Sequence, residues 1–155
     1  MTSNNIEMNM SKIINPELIS LSLKSKTKND AIEELSELLY KNGDIRNIEE
    51  YIYDVHLRET EGITGIGQGL AIPHGKSTSV INTKIAIGLS DHNIEWESLD
   101  GNPVNTIILF AVRDQDSSTL HLKLLQKVAV LISDDEFVRK LHNVKSKEEL
   151  IKMFK

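Results

Sequence analysis

The sequence contains no cysteine, only three prolines and few aromatic residues, which make up 5% of the chain. Without cysteine the chain has no disulfides, no thiolate ligands for metals and no thiol for redox or nucleophilic chemistry, and this composition fits a reducing cytosol. No apolar run approaches the roughly 20 residues that a membrane span needs. The first fifteen residues also lack the apolar core of a signal peptide. We therefore expect a soluble, cytoplasmic protein.

Charge of one sign is not concentrated anywhere in the sequence. The formal net charge is −5, the isoelectric point is about 5.5, and the lysines and arginines are scattered. This pattern argues against a nucleic-acid surface and favours small molecules or proteins as partners. The length of 155 residues and the hydrophobic content of 39% suit one complete domain with a sizeable core. We expect residues 1–12 to form a disordered or loosely ordered tail and residues 13–155 to form the domain.

Apolar residues at helical spacing predict five helices. The first two begin at the capping residues Thr27 and Asn47 and are expected to end at Gly43 and Gly62, and three more follow residue 118. Two apolar runs, residues 85–89 and 104–112, predict strands, and the second is apolar on both faces. A strand buried on both faces needs helices on both sides. We therefore predict an α/β fold, a three-layer α/β/α sandwich with a mixed central β-sheet flanked by helices.

The most informative stretch runs from Gly62 to Ser77 and holds five of the eight glycines. Its glycines predict a flexible segment that leads into a short strand at residues 70–72. Pro73 is expected to end that strand and to present His74 at its carboxyl end, in a loop that small neighbours leave open. An imidazole in such a position can act as a nucleophile or a base. Trp96, in the connection between the two later strands, is expected to be a packing residue.

Other chemistries fit this stretch poorly. A P-loop requires four residues between its first glycine and Gly-Lys-Ser, whereas five separate Gly69 from Gly75, and Pro73 removes a backbone donor from the cradle. The five histidines show no pairing that would place two metal ligands on one helix, so no metal or cofactor is expected. No Gly-x-Ser-x-Gly elbow is present for a serine hydrolase.

Three segments together carry a family resemblance: Arg58-Glu59 followed by Thr64-Gly65-Ile66-Gly67, then Leu70-Ala71-Ile72-Pro73-His74-Gly75, and later Leu120-His121-Leu122-Lys123-Leu124-Leu125. Their order and spacing resemble enzyme IIA of the fructose/mannitol family of the bacterial phosphoenolpyruvate-dependent sugar phosphotransferase system. The resemblance covers roughly residues 13–154, and it implies a phosphotransferase that works through a phosphohistidine.

The resemblance also implies roles for individual residues. His74 matches the phosphorylated histidine, Arg58 the active-site arginine and His121 the second active-site histidine. Arg58 can offer a planar set of N–H donors to phosphoryl oxygens, although a surface salt bridge with Glu59 or Glu61 is the alternative. His121 can hydrogen-bond the phosphoryl group or orient His74, although a core histidine among leucines is the alternative. The backbone N–H groups of Gly65, Gly67 and Gly75 are hypothesised to bind phosphoryl oxygens.

The implied partners are phospho-HPr as donor and the cysteine of a IIB domain as acceptor, with contact to the membrane only through the IIB/IIC permease. Two alternatives keep the fold and His74. One is a nitrogen-type enzyme IIA, whose phosphorylation state regulates other proteins, and the other is the IIA-like module of a transcriptional regulator.

Overall fold

The computed structural model describes residues 10–155, and residues 1–9 of the expected tail lie outside the described range. Residues 10–12, which were also assigned to the tail, form a 3-10 turn instead. Met10 is only 2% exposed because it packs into the hydrophobic cluster on one face of the sheet. The packed part of the chain therefore includes residues that the polar composition placed in the tail.

Six strands form one mixed sheet. The strands are β1 (Ile19–Ser20), β2 (Gly65–Gly67), β3 (Leu70–Ala71), β4 (His74–Ser77), β5 (Lys84–Ile94) and β6 (Val104–Arg113). Their order is β1-β5-β6-β3-β2, and β4 pairs with β6 beyond the end of β3. The pairs β1·β5, β3·β6 and β4·β6 are parallel, whereas β5·β6 and β2·β3 are antiparallel. The two long strands, β5 and β6, therefore form the centre of the sheet, and the shorter strands are added to them.

Five α-helices accompany the sheet in the described residues: α1 (Lys28–Lys41), α2 (Ile48–Glu59), α3 (Leu120–Ile132), α4 (Asp135–His142) and α5 (Lys147–Met153). The caps are those predicted, because Thr27 Oγ1 accepts from the N–H of Asp30 and Asn47 Oδ1 accepts from the N–H of Glu50, both at 3.1 Å. Helix α2 ends at Glu59, not at Gly62 as the sequence suggested. Its C-cap is Thr60, whose hydroxyl donates back to the Leu57 carbonyl.

The two faces of the sheet bury separate clusters. One cluster combines sheet residues such as Ala86 and Ile107 with Leu35 of α1 and Val55 of α2. The other combines residues of the opposite face with side chains of α3, α4 and α5. This arrangement confirms the three-layer α/β/α sandwich with a mixed sheet. Within residues 10–155, every helix is too short or too polar to cross a membrane.

Candidate active site

His74 is the first residue of a strand. Residues 72 and 73 interrupt the pairing after β3, as Pro73 predicted, but the loop expected to hold His74 is instead β4. Pro73 lacks an N–H, yet its carbonyl accepts from the N–H of Phe110 at 2.9 Å, so pairing with β6 resumes directly at His74. The histidine is therefore held by the sheet.

Helix α2 packs closely over β4. A Cβ atom on Gly75 would lie 2.6 Å from Val55 Cγ2 and would also overlap the ring of Tyr51. Tyr51 is fully buried, and its hydroxyl donates to the Phe110 carbonyl at 3.0 Å. Gly75 thus allows α2 to approach the strand that carries His74, and this approach brings the last turn of α2, with Arg58, beside the histidine.

The rings of His74, His121 and Phe110 form a cluster. His74 lies 5.1 Å from His121 and 5.4 Å from Phe110, measured between ring centroids, and His121 lies 5.7 Å from Phe110. Phe110 is fully buried behind the two histidines. His121 lies in the first turn of α3, as predicted. The Nδ1 atoms of both histidines are buried and have no hydrogen-bond partner among the described residues.

A cavity of about 290 Å³ opens over these rings. Its walls come from α2 and the loop that follows it, from β4 and from the region where α3 begins. They are formed by Asp54, Leu57, Arg58, Glu61, His74, Lys76, Ser117 and His121. The structure therefore brings the three side chains predicted for the site, Arg58, His74 and His121, to one cavity.

Both histidines are held neutral at pH 7. The pKa of His74 is lowered chiefly by burial and also by the positive charge of Arg58, while the nearby carbonyl of Pro73 and the carboxylate of Glu59 act in the opposite direction. The pKa of His121 is lowered to about 4 by burial first, then by the positive charge that His74 carries when it is protonated at low pH, and by the charges of Lys76 and Arg58. A neutral imidazole keeps a lone pair for nucleophilic attack.

Arg58 carries a positive charge that no carboxylate of residues 10–155 neutralises directly. Among residues 10–155 it makes no ion pair within 4 Å; Glu59, which was considered as a partner, pairs with Lys28 instead. The one hydrogen bond of its guanidinium goes from Nη1 to the Gly62 carbonyl at 3.4 Å. The remaining N–H groups are therefore available to an anion in the cavity.

Lys76 is a residue of the cavity that sequence reasoning missed. It lies two positions after His74 in β4, so both side chains project from the same face of the strand. Its charge is close enough to lower the pKa of His121. The two-residue period of a strand would have identified it, but only if the segment from His74 to Ser77 had been interpreted as a strand.

Gly65 and Gly67 have a different role from the one hypothesised, and neither lines the cavity. The N–H of Gly65 is already donated to the Glu97 carbonyl at 3.1 Å, and a Cβ there would lie 2.8 Å from Ser98 Cα. Gly67 adopts a φ of +100° beside the Asp100 carboxylate. These two glycines therefore allow the chain to pack on its own 97–100 segment, whereas contact of the Gly75 backbone with a phosphoryl group stays a prediction.

Comparisons with known proteins identify the family of this chain. The family model described as phosphoenolpyruvate-dependent sugar phosphotransferase system, EIIA 2, matches residues 12–155. A fructose-specific EIIABC component from Bacillus subtilis is 33% identical over 144 residues, which are 93% of this chain. The chain spans only 22% of the length of that relative.

Solved structures show the same fold. The nitrogen regulatory protein IIA-Ntr from Neisseria meningitidis superposes with a TM-score of 0.85 at 28% identity, over 94% of this chain and 98% of that one. Enzyme IIA of the Escherichia coli mannitol system, solved in complex with phosphorylated enzyme IIB, gives 0.77 at 22% identity, over 91% and 96% of the two chains. With the family model matched over nearly the whole described chain, this protein belongs to the EIIA 2 family of the phosphoenolpyruvate-dependent sugar phosphotransferase system.

Proposed function

We propose that this chain is a cytoplasmic phosphoryl carrier that accepts a phosphoryl group from phospho-HPr on His74 and passes it to a cysteine of a IIB domain. The observation that carries the proposal is the neutral imidazole of His74 in a cavity beside an arginine without a carboxylate partner. Because Nδ1 of His74 is buried, Nε2 is the nitrogen that can attack.

In the first transfer the lone pair of Nε2 attacks phosphorus while Nδ1 keeps its proton, and a new N–P bond forms. The N–P bond of the donor histidine breaks, and the donor, protonated on its other ring nitrogen, leaves as neutral imidazole. In the second transfer the acceptor thiolate attacks, an S–P bond forms, the N–P bond on His74 breaks, and His74 is released as neutral imidazole with its proton still on Nδ1. Phosphoryl transfer needs mainly positioning and charge stabilisation. Arg58 and Lys76 supply positive charge to the phosphoryl oxygens, and neutral His121 donates a hydrogen bond to them.

The deciding experiment incubates the protein with phosphoenolpyruvate, enzyme I and HPr, and follows ³²P on the chain. The wild type should acquire an acid-labile, base-stable label, His74→Ala should acquire none, and His92→Ala, an exposed histidine outside the cavity, should label like the wild type. Labelling of His74→Ala would refute the site. A wild type that takes no label would refute the carrier function.

The family likeness favours a fructose- or mannitol-class sugar as the final acceptor. A regulatory role is the second candidate, because the IIA-Ntr structure is 28% identical and matches nearly the whole length of both chains. The two roles differ in the last step. A transport component transfers its label to a IIB cysteine and supports sugar phosphorylation by the IIB/IIC permease, whereas a regulator does not. Genes for IIB and IIC beside this one would favour transport, and nitrogen-control genes would favour regulation.

A further inference from the structure

Glu59, the residue that follows Arg58, belongs to a largely buried polar cluster outside the cavity. Glu59, whose side chain is 7% exposed, accepts from Thr64 Oγ1 at 2.8 and 3.0 Å and pairs with Lys28 Nζ at 2.7 Å. Thr64 is 2% exposed, and its hydroxyl accepts from Trp96 Nε1 at 3.0 Å. The Trp96 ring also lies beneath Lys28. All the polar groups of this cluster are thus paired, although none of them lines the cavity.

The bond between Glu59 and Thr64 closes a short exposed loop, residues 60–63. That loop provides the Gly62 carbonyl, which is the only hydrogen-bond acceptor of the Arg58 guanidinium among the described residues. Arg58 itself lies in the last turn of α2, one residue before Glu59, which is the last residue of the helix. The position of its guanidinium therefore depends on where Glu59 and the loop are held.

Thr64 is also bonded to the segment that carries the nucleophile. Its backbone carbonyl accepts from the N–H of Ile72 at 3.0 Å, two residues before His74. Through its hydroxyl Thr64 holds the Arg58 segment, and through its carbonyl it holds the His74 segment. Thr64 therefore bonds to both segments, in addition to the packing of α2 on β4 at Gly75.

We infer that Thr64, acting with Glu59, is a positioning residue that sets Arg58 against His74 for phosphoryl transfer. This inference rests on the proposed function, since it assigns a second layer of residues to the same site. Small displacements matter in this chemistry, because a misplacement of about 1 Å can cost about 100-fold in rate.

The test is a double-mutant cycle on transfer from phospho-HPr. Thr64→Val, which keeps the shape of the side chain and removes its hydroxyl, should lower kcat about tenfold or more while KM stays within about twofold. The reason is that the substitution disturbs the alignment of Arg58 with the phosphoryl group and leaves the docking of phospho-HPr intact. Thr64→Ser should restore most of the rate. In the Arg58→Ala background, Thr64→Val should cause no further loss, since no guanidinium remains to be positioned.

The chain offers a matched control at the other end of the same helix. Thr78 Oγ1 donates to Glu50 Oε2 at 2.9 Å, which is also a bond between a threonine and a glutamate of α2. Thr78→Val should leave kcat unchanged. Any one of three results would overturn the inference. The first is an equal loss of kcat in Thr64→Val and Thr78→Val, and the second is an effect of Thr64→Val on KM alone. The third is that Thr64→Val lowers kcat as much in the Arg58→Ala background as in the wild type.

A second measurement does not depend on phosphoryl transfer. In ¹⁵N relaxation experiments on the Arg58 Nε–H group, Thr64→Val should make the guanidinium more mobile, whereas Thr78→Val should not. Thermal unfolding of each variant ensures that rates are compared between folded proteins. If Thr64→Val does not fold, Glu59→Asp provides the same test, because it withdraws the acceptor by one methylene and keeps the charge that pairs with Lys28. Unchanged mobility would refute the inference even if the wild type is a carrier, and an unlabelled wild type would refute only the carrier function.

Discussion

Replacing Arg58 by lysine tests how the cavity stabilises the transferring phosphoryl group. The substitution keeps the positive charge and removes the planar donor set, so a lysine ammonium can replace only part of the contact. In the free protein Arg58 loses little by the change, because the hydrogen bond of its guanidinium to the Gly62 carbonyl is long, at 3.4 Å, and no carboxylate in the described part of the chain pairs with it. The cost should therefore appear in the transition state.

One charge-assisted hydrogen bond is worth about 1.5–3 kcal/mol, and about 1.4 kcal/mol corresponds to a tenfold change in rate. Arg58→Lys should thus lower the single-turnover rate of transfer from phospho-HPr by about 10- to 150-fold. The free energy of unfolding should change by less than about 0.5 kcal/mol, since the lost contact is exposed.

Arg46 provides the control for this prediction. It precedes the same helix and makes a comparable bond, from Nη1 to the Thr78 carbonyl at 3.2 Å, away from the cavity. Arg46→Lys should transfer at the wild-type rate. If Arg58→Lys also transfers at that rate, bidentate stabilisation by Arg58 is refuted, and only the charge at this position matters.

Three further changes test the electrostatics and the packing of the site. Lys76→Met should raise the pKa of His121 in NMR titration, because the charge that opposes protonation is removed, whereas Lys123→Met, which is outside the cavity, should leave it unchanged. The pKa of His121 is about 4 in the folded protein and about 6.5 when unfolded, so the unfolded chain binds more protons between these values. The free energy of unfolding should therefore fall by about 1–2 kcal/mol as pH drops from about 6.5 toward 4, after allowance for the partial exposure of His121. Urea unfolding of His121→Gln should show a correspondingly smaller loss over this pH range. An unchanged dependence of the unfolding free energy on pH in this variant would contradict the prediction. Gly75→Ala should reduce stability by about 1–3 kcal/mol in thermal unfolding, because the new methyl group overlaps Tyr51 and Val55, and a neutral effect would contradict the packing described.

The sequence alone predicted most of the layers because their signals are local. The capping pairs at Thr27 and Asn47 marked helix starts that the structure reproduces, and the apolar run in β6 predicted a strand covered on both sides. The packing role expected of Trp96 is also confirmed, because this side chain is 7% exposed and hydrogen-bonded to Thr64.

The errors have a common physical origin in pairing between distant segments. The strand at His74 was interpreted as a loop, since its four residues carry no alternating apolar pattern and are held by bonds to β6. Gly65 and Gly67 were assigned to a phosphoryl group because nothing in the sequence shows that residues 97–100 pack against them. Lys76 was missed because the strand at His74 was interpreted as a loop. His121, in the first turn of its helix, was placed correctly because the spacing of apolar residues in a helix is a local signal.

The burial of Nδ1 in His74, with Phe110 packed behind the ring, has a consequence for the order of encounters. Only one macromolecule at a time can reach Nε2 of His74 through the cavity. Phospho-HPr, which delivers the phosphoryl group, and the IIB domain, which removes it, therefore cannot be bound at the same time. On the proposed pathway the kinetics are therefore ping-pong. An excess of unphosphorylated HPr should competitively inhibit transfer of the phosphoryl group from His74 to the IIB domain. The rate of phosphoryl transfer through this protein should therefore depend on the ratio of the two partners as well as on their amounts.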